Sequence, residues 1–279
     1  MRLGCKTTPG MGDSLTLVPP FFPLFLYNVF MSQSQEPLRL RIVTYNVHKC
    51  RGMDGRTHPE RIASVLTRLN PDIVALQEVI GAGPRGFGQE ERISQRLGMA
   101  SVLAPARTLR GHLYGNALLS RIPIKHHSAF DLSEDGLEPR LLQRVDLSFQ
   151  GHRIHLYNVH LGTSQKERER QARKLIHFLS DPSVHGPKIL LGDFNEWRKG
   201  PASRLLGETF QRLALLPFLK WRRTYPGFLP IFHIDHIYYQ GQVEVLKVEV
   251  PRTLSALIAS DHMPILLELR ISVKKWDQR

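Results

Sequence analysis

The chain has 279 residues, 42% of them hydrophobic, enough to bury the core of one large or two small domains, which excludes disorder over most of its length. Two cysteines, Cys5 and Cys50, exclude a disulfide scaffold and a thiolate zinc cluster and suit a reducing, cytoplasmic setting. A formal net charge of +13 favours polyanionic partners: nucleic acid, an anionic membrane surface touched peripherally, or a phosphorylated substrate.

Residues 1–36 stand apart, because their charged residues Arg2, Lys6, Asp13 and Glu36 cancel and the excess belongs to residues 37–279. Leu15 to Phe30 is apolar but broken by Pro19, Pro20 and Pro23, too short and interrupted to span a bilayer, and Met31 to Gln35 offers no small-residue cleavage site. The expectation is a disordered extension or a mis-assigned start, with Met31 as initiator, ahead of one domain over 37–275. From Leu40 the alternation predicts a strand ending at Asn46. Pro59 opens a helix with Ile62, Val65, Leu66 and Leu69 on one face, stopped at Asn70-Pro71. Asp72–Val79 reads as a strand, Gln89–Leu97 as a helix closed by Gly98, and Gly115–Ile122 as a third strand. Val145–Phe149 and Arg153–Leu161 form a hairpin about Gln150-Gly151, and Gln165–Leu179 a basic amphipathic helix. Lys188–Leu191, Ile234–Tyr239, Val243–Val250 and Pro264–Ile271 complete the strands. Crossover helices and hairpins together imply an α/β domain with mixed sheets.

Polar residues sit at the ends of these runs: Asn46, Glu78, Asn158 with His160, Asp193 with Asn195, Asp235, and Asp261 with His262. Strand ends are where α/β folds build sites. Each residue alone has a structural explanation, such as a turn or a cap, but their shared carboxylate, amide and imidazole chemistry is harder to dismiss. Such oxygens suit a hard ion, Mg2+ first or Mn2+. The histidines can supply a general acid and a phosphate-stabilising cation, and an Asp near neutral pH can deprotonate water, the requirements of phosphate-ester hydrolysis.

The segments Thr44-Tyr45-Asn46-Val47-His48, Leu76-Gln77-Glu78-Val79, Gly115-Asn116-Ala117-Leu118-Leu119-Ser120-Arg121, Asn158-Val159-His160-Leu161, Gly192-Asp193-Phe194-Asn195, Ile234-Asp235-His236-Ile237 and Ser260-Asp261-His262-Met263-Pro264 occur in order. As an ordered set over about Leu40 to Leu269 they resemble the endonuclease/exonuclease/phosphatase superfamily. The resemblance implies the DNase I-like four-layer α/β/β/α sandwich of two mixed β-sheets and a metal-dependent phosphohydrolase. By position, Glu78 matches the main Mg2+ ligand, with Asn46 beside it and Asp261 as a second carboxylate. Asp193 matches the residue that orients or deprotonates water, and Asn195 the amide that fixes the phosphate. Asp235 matches the partner that orients a cationic His262, and His160 a histidine near the leaving group. Asn116, Asn158 and His48 are the candidate substrate contacts.

Glu78 is followed by Val79-Ile80-Gly81, and a His160 block replaces a Tyr-x-Pro-Asn block, features that lean away from abasic-site endonucleases. The leading expectation is therefore hydrolysis of a phosphodiester or phosphomonoester in a small-molecule or lipid substrate. The alternative is a DNA or RNA endonuclease or exonuclease. Arg198, Lys199, Arg204, Arg212, Lys220, Arg222 and Arg223, with Trp197, Trp221 and Phe228 interleaved, read as a solvated basic face, with substrate or membrane contact as the other reading.

Overall fold

Runs of β-branched and leucine residues form two six-stranded sheets in the computed structural model, which describes residues 38–84, 86–149, 152–198, 200–213, 223–226, 229 and 231–271. The expected N-terminal extension and the Gln150-Gly151 turn lie outside the described residues. The strands are β1 (Leu38–Asn46), β2 (Ile73–Ile80), β3 (Ala100–Leu109), β4 (His112–Ser120), β5 (Ile124–Asp131), β6 (Leu141–Phe149), β7 (His152–His160), β8 (Lys188–Asp193), β9 (Gln211–Arg212), β10 (Asp235–Gln240), β11 (Val243–Glu249) and β12 (Ile265–Ile271). The helices are α1 (Pro59–Leu69), α2 (Gln89–Leu97), α3 (Gln165–Leu179), α4 (Pro201–Gly207) and α5 (Leu254–Ala259).

The strand orders are β11-β12-β1-β2-β4-β3 and β5-β6-β7-β8-β10-β9. Each sheet is antiparallel except for a parallel pair at its centre, β1 with β2 and β7 with β8. A parallel pair needs a crossover, supplied by α1 and by α3. The carboxyl ends of the two pairs carry Asn46 and Glu78 on one sheet and His160 and Asp193 on the other.

Residue alternation assigns the layers. In the second sheet Val145, Leu147, Ile154, Leu156, Ile189, Leu191 and Ile237 join the first sheet and the residues of α1, α2 and α5 in one core. Leu142, Tyr157, Val159, Leu190 and Tyr238 point the other way, into a second core with Ala172, Leu175 and Leu179 of α3 and Ala202 and Leu206 of α4. The result is the expected four layers, two sheets face to face with helices outside, a DNase I-like α/β/β/α sandwich. No helix of the described residues is long and apolar enough to cross a membrane.

The predicted helix limits hold at α1, α2 and α3 for local reasons. Pro59 occupies the first turn of α1, where its missing N–H costs nothing, and Asn70 ends the helix in the left-handed conformation (φ 44°) with its N–H on the Leu66 and Thr67 carbonyls. Gly98 closes α2 in the same way, and the Ser164 hydroxyl accepts from the Glu167 N–H to cap α3. The strands β3, β5 and β9, absent from the sequence reading, are edge strands or lie beside one. In β3, Pro105 sits at an edge where its missing donor is tolerated, next to a register shift between Pro105 and Arg107.

Candidate active site

The carboxyl ends of β1, β2, β7 and β8 meet around a cleft of about 830 Å³. Glu78, His160, Asp193, Asn195, Asp261 and His262 line it, and Asn46 and Asp235 stand directly behind. At the centre is the buried Asp193 carboxylate. Its Oδ2 accepts from Asn46 Nδ2 (3.0 Å) and faces His160 Nε2 (3.5 Å) and His262 Nε2 (3.6 Å), while Oδ1 accepts from the Asn195 backbone N–H (2.8 Å). One carboxylate thus ties β1, β7, β8 and the β12 approach together.

Several of these side chains are aimed by backbone that ordinary residues avoid. Glu78 sits at φ +57° inside the register shift between Leu76 and Val79, a bulge that turns its carboxylate out of the β2 ladder. Asn195 is left-handed as well (φ +50°). The consecutive residues His48, Lys49 and Cys50, at φ +45°, +59° and +54°, form a tight turn after Asn46. Left-handed non-glycine backbone costs about 1–3 kcal/mol per residue and survives where surrounding contacts over-determine it. Here Gln89 supplies such contacts, donating to the Lys49 carbonyl (2.7 Å) and accepting from the Ile80 N–H (3.0 Å).

That turn sets a basic side chain against each of two carboxylates. Lys49 Nζ lies 2.5 Å from Glu78 Oε2, and His48 Nδ1 lies 3.4 Å from Asp261 Oδ1. Burial pushes the Glu78 carboxyl up, but His160, Lys49 and Asn46 together bring it down to about 2. Burial pushes the Asp193 carboxyl up against the cationic pull of His262 and His160. His160 is lowered to about 4, first by burial and then by Arg140, and is neutral near pH 7. His262 takes the opposite course. Burial lowers it, but the carboxylates of Asp235, Asp193 and Asp261 overcome that and raise it to about 10. Its Nδ1 is 3.1 Å from Asp235 Oδ2, the same oxygen that accepts from the buried Thr224 hydroxyl (2.6 Å).

Among the described residues, Asp193, Asp235 and His262 bring ligand atoms within 4.8 Å of one another, a group close enough to hold a metal ion. Of the expected ligands, Glu78 and Asp261 line the cleft and Asn46 stands behind Glu78, with Lys49 on the Glu78 carboxylate and the His48 ring near that of Asp261. Their oxygen donors fit a hard divalent ion, and the Lys49 ammonium on Glu78 marks where positive charge is sought.

Asn116 lines a recess beside the cleft with Glu78, Tyr114, Arg140 and His160, and His48 is half-exposed at the rim. Asn158 is placed otherwise than expected. It faces inward from β7, two residues deeper than His160, and is fully buried. Its Nδ2 meets the Leu76 and Ala117 carbonyls and Gln143 Oε1, and its Oδ1 accepts from Gln77 (2.7 Å). With its polar atoms committed across the two sheets, Asn158 is corrected from a substrate contact to a staple between them. Asn158→Ala leaves several buried partners unsatisfied and is expected to cost about 2–3 kcal/mol in urea unfolding, with KM unchanged in the folded fraction. A raised KM at full stability would return Asn158 to the substrate.

Sequence reading passed over Tyr114 and Arg140 and gave Thr224 and Tyr225 no role in the site. Tyr225 packs its ring against His262 (centroids 5.0 Å apart), and Arg140 reaches the wall beside Glu78 from the start of β6. The only local signal was the Thr224-Tyr225-Pro226 stretch ahead of Asp235. The described members of the basic stretch turn elsewhere: Arg198 stacks on Trp197 (4.4 Å) and Arg212 bonds the His236 ring (2.9 Å).

A model of the Endonuclease/Exonuclease/phosphatase family matches residues 43–262. The uncharacterized protein YbhP of Escherichia coli strain K12 is 30% identical over 260 residues, covering 86% of this chain and all of that protein. An endonuclease/exonuclease/phosphatase from Bacteroides vulgatus superposes with a TM-score of 0.71 at 18% identity, over 84% of this chain and 100% of its own. The mannosyl-6-phosphatase Bt3783 of Bacteroides thetaiotaomicron superposes with a TM-score of 0.66 at 20% identity, over 82% and 99%. At these identities the two structures show the shared fold.

Proposed function

The chain belongs to the endonuclease/exonuclease/phosphatase family, hydrolases of phosphoesters, and from that premise we propose that it is a divalent-metal-dependent phosphoesterase acting by water attack on a small-molecule or lipid phosphate ester. The observation that carries this reading is the buried Asp193 carboxylate, held by Asn46 and Asn195 and faced by two histidines of opposite character.

Each side chain then has a task. Asp193, its carboxyl raised by burial, is a stronger base than a solvated carboxylate and takes the proton of the attacking water. His262, charged near neutral pH and fixed through Nδ1 by Asp235, directs its other nitrogen toward Asp193 and the cleft, where negative charge grows on the phosphoryl oxygens. Neutral His160 and the Asn195 amide, 3.3 Å apart, orient the phosphate and the departing oxygen. Mg2+ or Mn2+, held by Glu78 with Asn46 and Asp261, would neutralise phosphoryl charge and polarise the ester. Lys49 and His48 would then be free of those carboxylates to meet phosphate oxygens. The water oxygen bonds to phosphorus as the P–O ester bond breaks; Asp193 passes the water's proton to solvent, and the departing oxygen takes up a proton from solvent.

The net charge of +13 favours a second reading, hydrolysis of DNA or RNA. Full-length protein with Mg2+ or Mn2+ is expected to turn over bis(p-nitrophenyl) phosphate, to stop in excess chelator and to leave plasmid DNA unnicked. Metal-dependent nicking would transfer the assignment to the nuclease reading, and turnover persisting in chelator would remove the metal from the mechanism.

A further inference from the structure

The cleft continues away from Asp193 onto a wall that the proposed chemistry does not use. It is built by the β3–β4 hairpin, the approach to β6 and the loop after the 48–50 turn. Arg107 and Arg110 come from the hairpin, Arg140 from the β6 approach and Arg51 from the opposite loop. Glu138 lies between two of them, 2.8 Å from Arg107 Nη2 and 2.9 Å from Arg140 Nη2, so one carboxylate holds two guanidinium groups in fixed orientation. The Arg107 guanidinium also lies over the Tyr114 ring, 4.9 Å from its centroid, so that ring floors the wall between Arg107 and the Glu78 end of the cleft.

Two observations indicate that this wall awaits an anion. Arg140 is more than nine-tenths buried, and its Nε–H, like that of Arg107, is buried without an acceptor among the described residues. A buried unpaired donor is costly, and it persists where a ligand or bound water completes it. The charge balance agrees. Among the described lining residues, five Lys and Arg face four carboxylates, before the imidazolium of His262 or any divalent ion is counted. A phosphodiester brings a single negative charge, which matches the surplus of one and leaves the His262 imidazolium uncompensated, in a cleft of about 830 Å³ with ample room for a larger ligand.

Resting on the phosphoesterase reading of the Asp193 end, we infer that Arg107 and Arg140, locked by Glu138, form with Arg110 a second anion subsite, so that the substrate carries a second phosphate or comparable anionic group beyond the ester that is cleaved. The guanidinium forks suit a terminal phosphate, which accepts parallel N–H donors. The ligand is a compact bis-anion rather than a polymer strand, because these arginines converge inside the cleft. The described basic residues of the 198–223 stretch, which could have prolonged the surface into a strand-tracking stripe, line no part of it.

The test is calorimetric titration of metal-stripped, full-length protein with propane-1,3-diyl bisphosphate and with propyl phosphate, which removes both catalysis and metal chelation from the readout. The bisphosphate is expected to bind at least tenfold more tightly. Arg107→Ala should erase the advantage, bringing the bisphosphate to the affinity of propyl phosphate. Because that change also frees Glu138, Arg110→Asn is the second variant. Asn tolerates the left-handed backbone there (φ +52°), and the advantage should fall severalfold with the fold intact. Equal affinity for the two ligands, or an advantage that survives both variants, would overturn the inference. Tighter binding of single-stranded DNA than of bisphosphate, lost in the same variants, would overturn it in favour of a nucleic-acid groove. Bisphosphate selectivity without metal-dependent turnover of any phosphodiester or phosphomonoester would retain the subsite and reject the hydrolase reading.

Discussion

Glu78→Ala is expected to lower kcat on the order of a thousandfold or more while the protein stays folded, because the variant removes the carboxylate best placed to hold a divalent ion against the phosphoryl group. The fold should tolerate the loss. Alanine inherits the same left-handed backbone and the Lys49 and Asn46 contacts are lost, so unfolding stability at neutral pH should fall by no more than about 3 kcal/mol. The sign of the pH dependence follows from the depressed carboxyl. Its folded value of about 2 lies below the ordinary carboxylate range, so its contribution is present above that range and fades as pH falls toward 2. The stability gap between wild type and Glu78→Ala should therefore close with acidification. Titration calorimetry with Mn2+ supplies the second readout, with affinity expected to fall at least tenfold. A variant that binds Mn2+ as wild type and keeps its turnover would take Glu78 out of the metal site.

Asp235→Asn should lower kcat by something on the order of a hundredfold at nearly unchanged KM, through His262 rather than through direct contact with substrate. The amide preserves shape but removes the nearest of the carboxylates that hold His262 as a cation. His262 is raised to about 10, so its charged form contributes stability fully below about pH 6.5, and that contribution is lost as pH rises through 10. In Asp235→Asn the loss should begin at lower pH. Imidazole NMR on metal-free protein checks this directly: the His262 ring should remain protonated into the alkaline range in wild type and titrate earlier in the variant. Kinetics decide the coupling. If Asp235 acts through His262, the double variant Asp235→Asn/His262→Ala is little worse than His262→Ala alone, whereas independent residues multiply their losses. An unshifted His262 titration would remove Asp235 from this role.

Helices α1, α2 and α3 and the central strands were legible because their signals are local. A stripe such as Ile62, Val65, Leu66 and Leu69, a proline in the first turn, and a closing Asn70 or Gly98 each act within one or two turns of chain. Edge strands β3 and β5 were not, since an edge is half exposed and its alternation is diluted, by Pro105 in one and by Lys125, His126 and His127 in the other. Helices α4 and α5, of seven and six residues, are too short to display a period.

The site divides along the same line. Residue chemistry and order alone marked Asn46, Glu78, His160, Asp193, Asn195, Asp235, Asp261 and His262, because polar groups ending apolar strands are visible without knowing where the strands go. What the sequence could not decide was depth and company. Asn158 and His160 share one face of β7 and differ by two residues, yet the first is sealed between sheets and the second lines the cleft, a difference set by how far the facing strands extend. Lys49 against Glu78, Thr224 beneath Asp235, and Arg107 joined to Arg140 through Glu138 depend on sheet order, a bulge and a hairpin. Periodicity reports only which way a side chain points from its own strand or helix, whereas convergence is decided by register and packing between segments tens to more than a hundred residues apart, and only the folded chain brings those into contact.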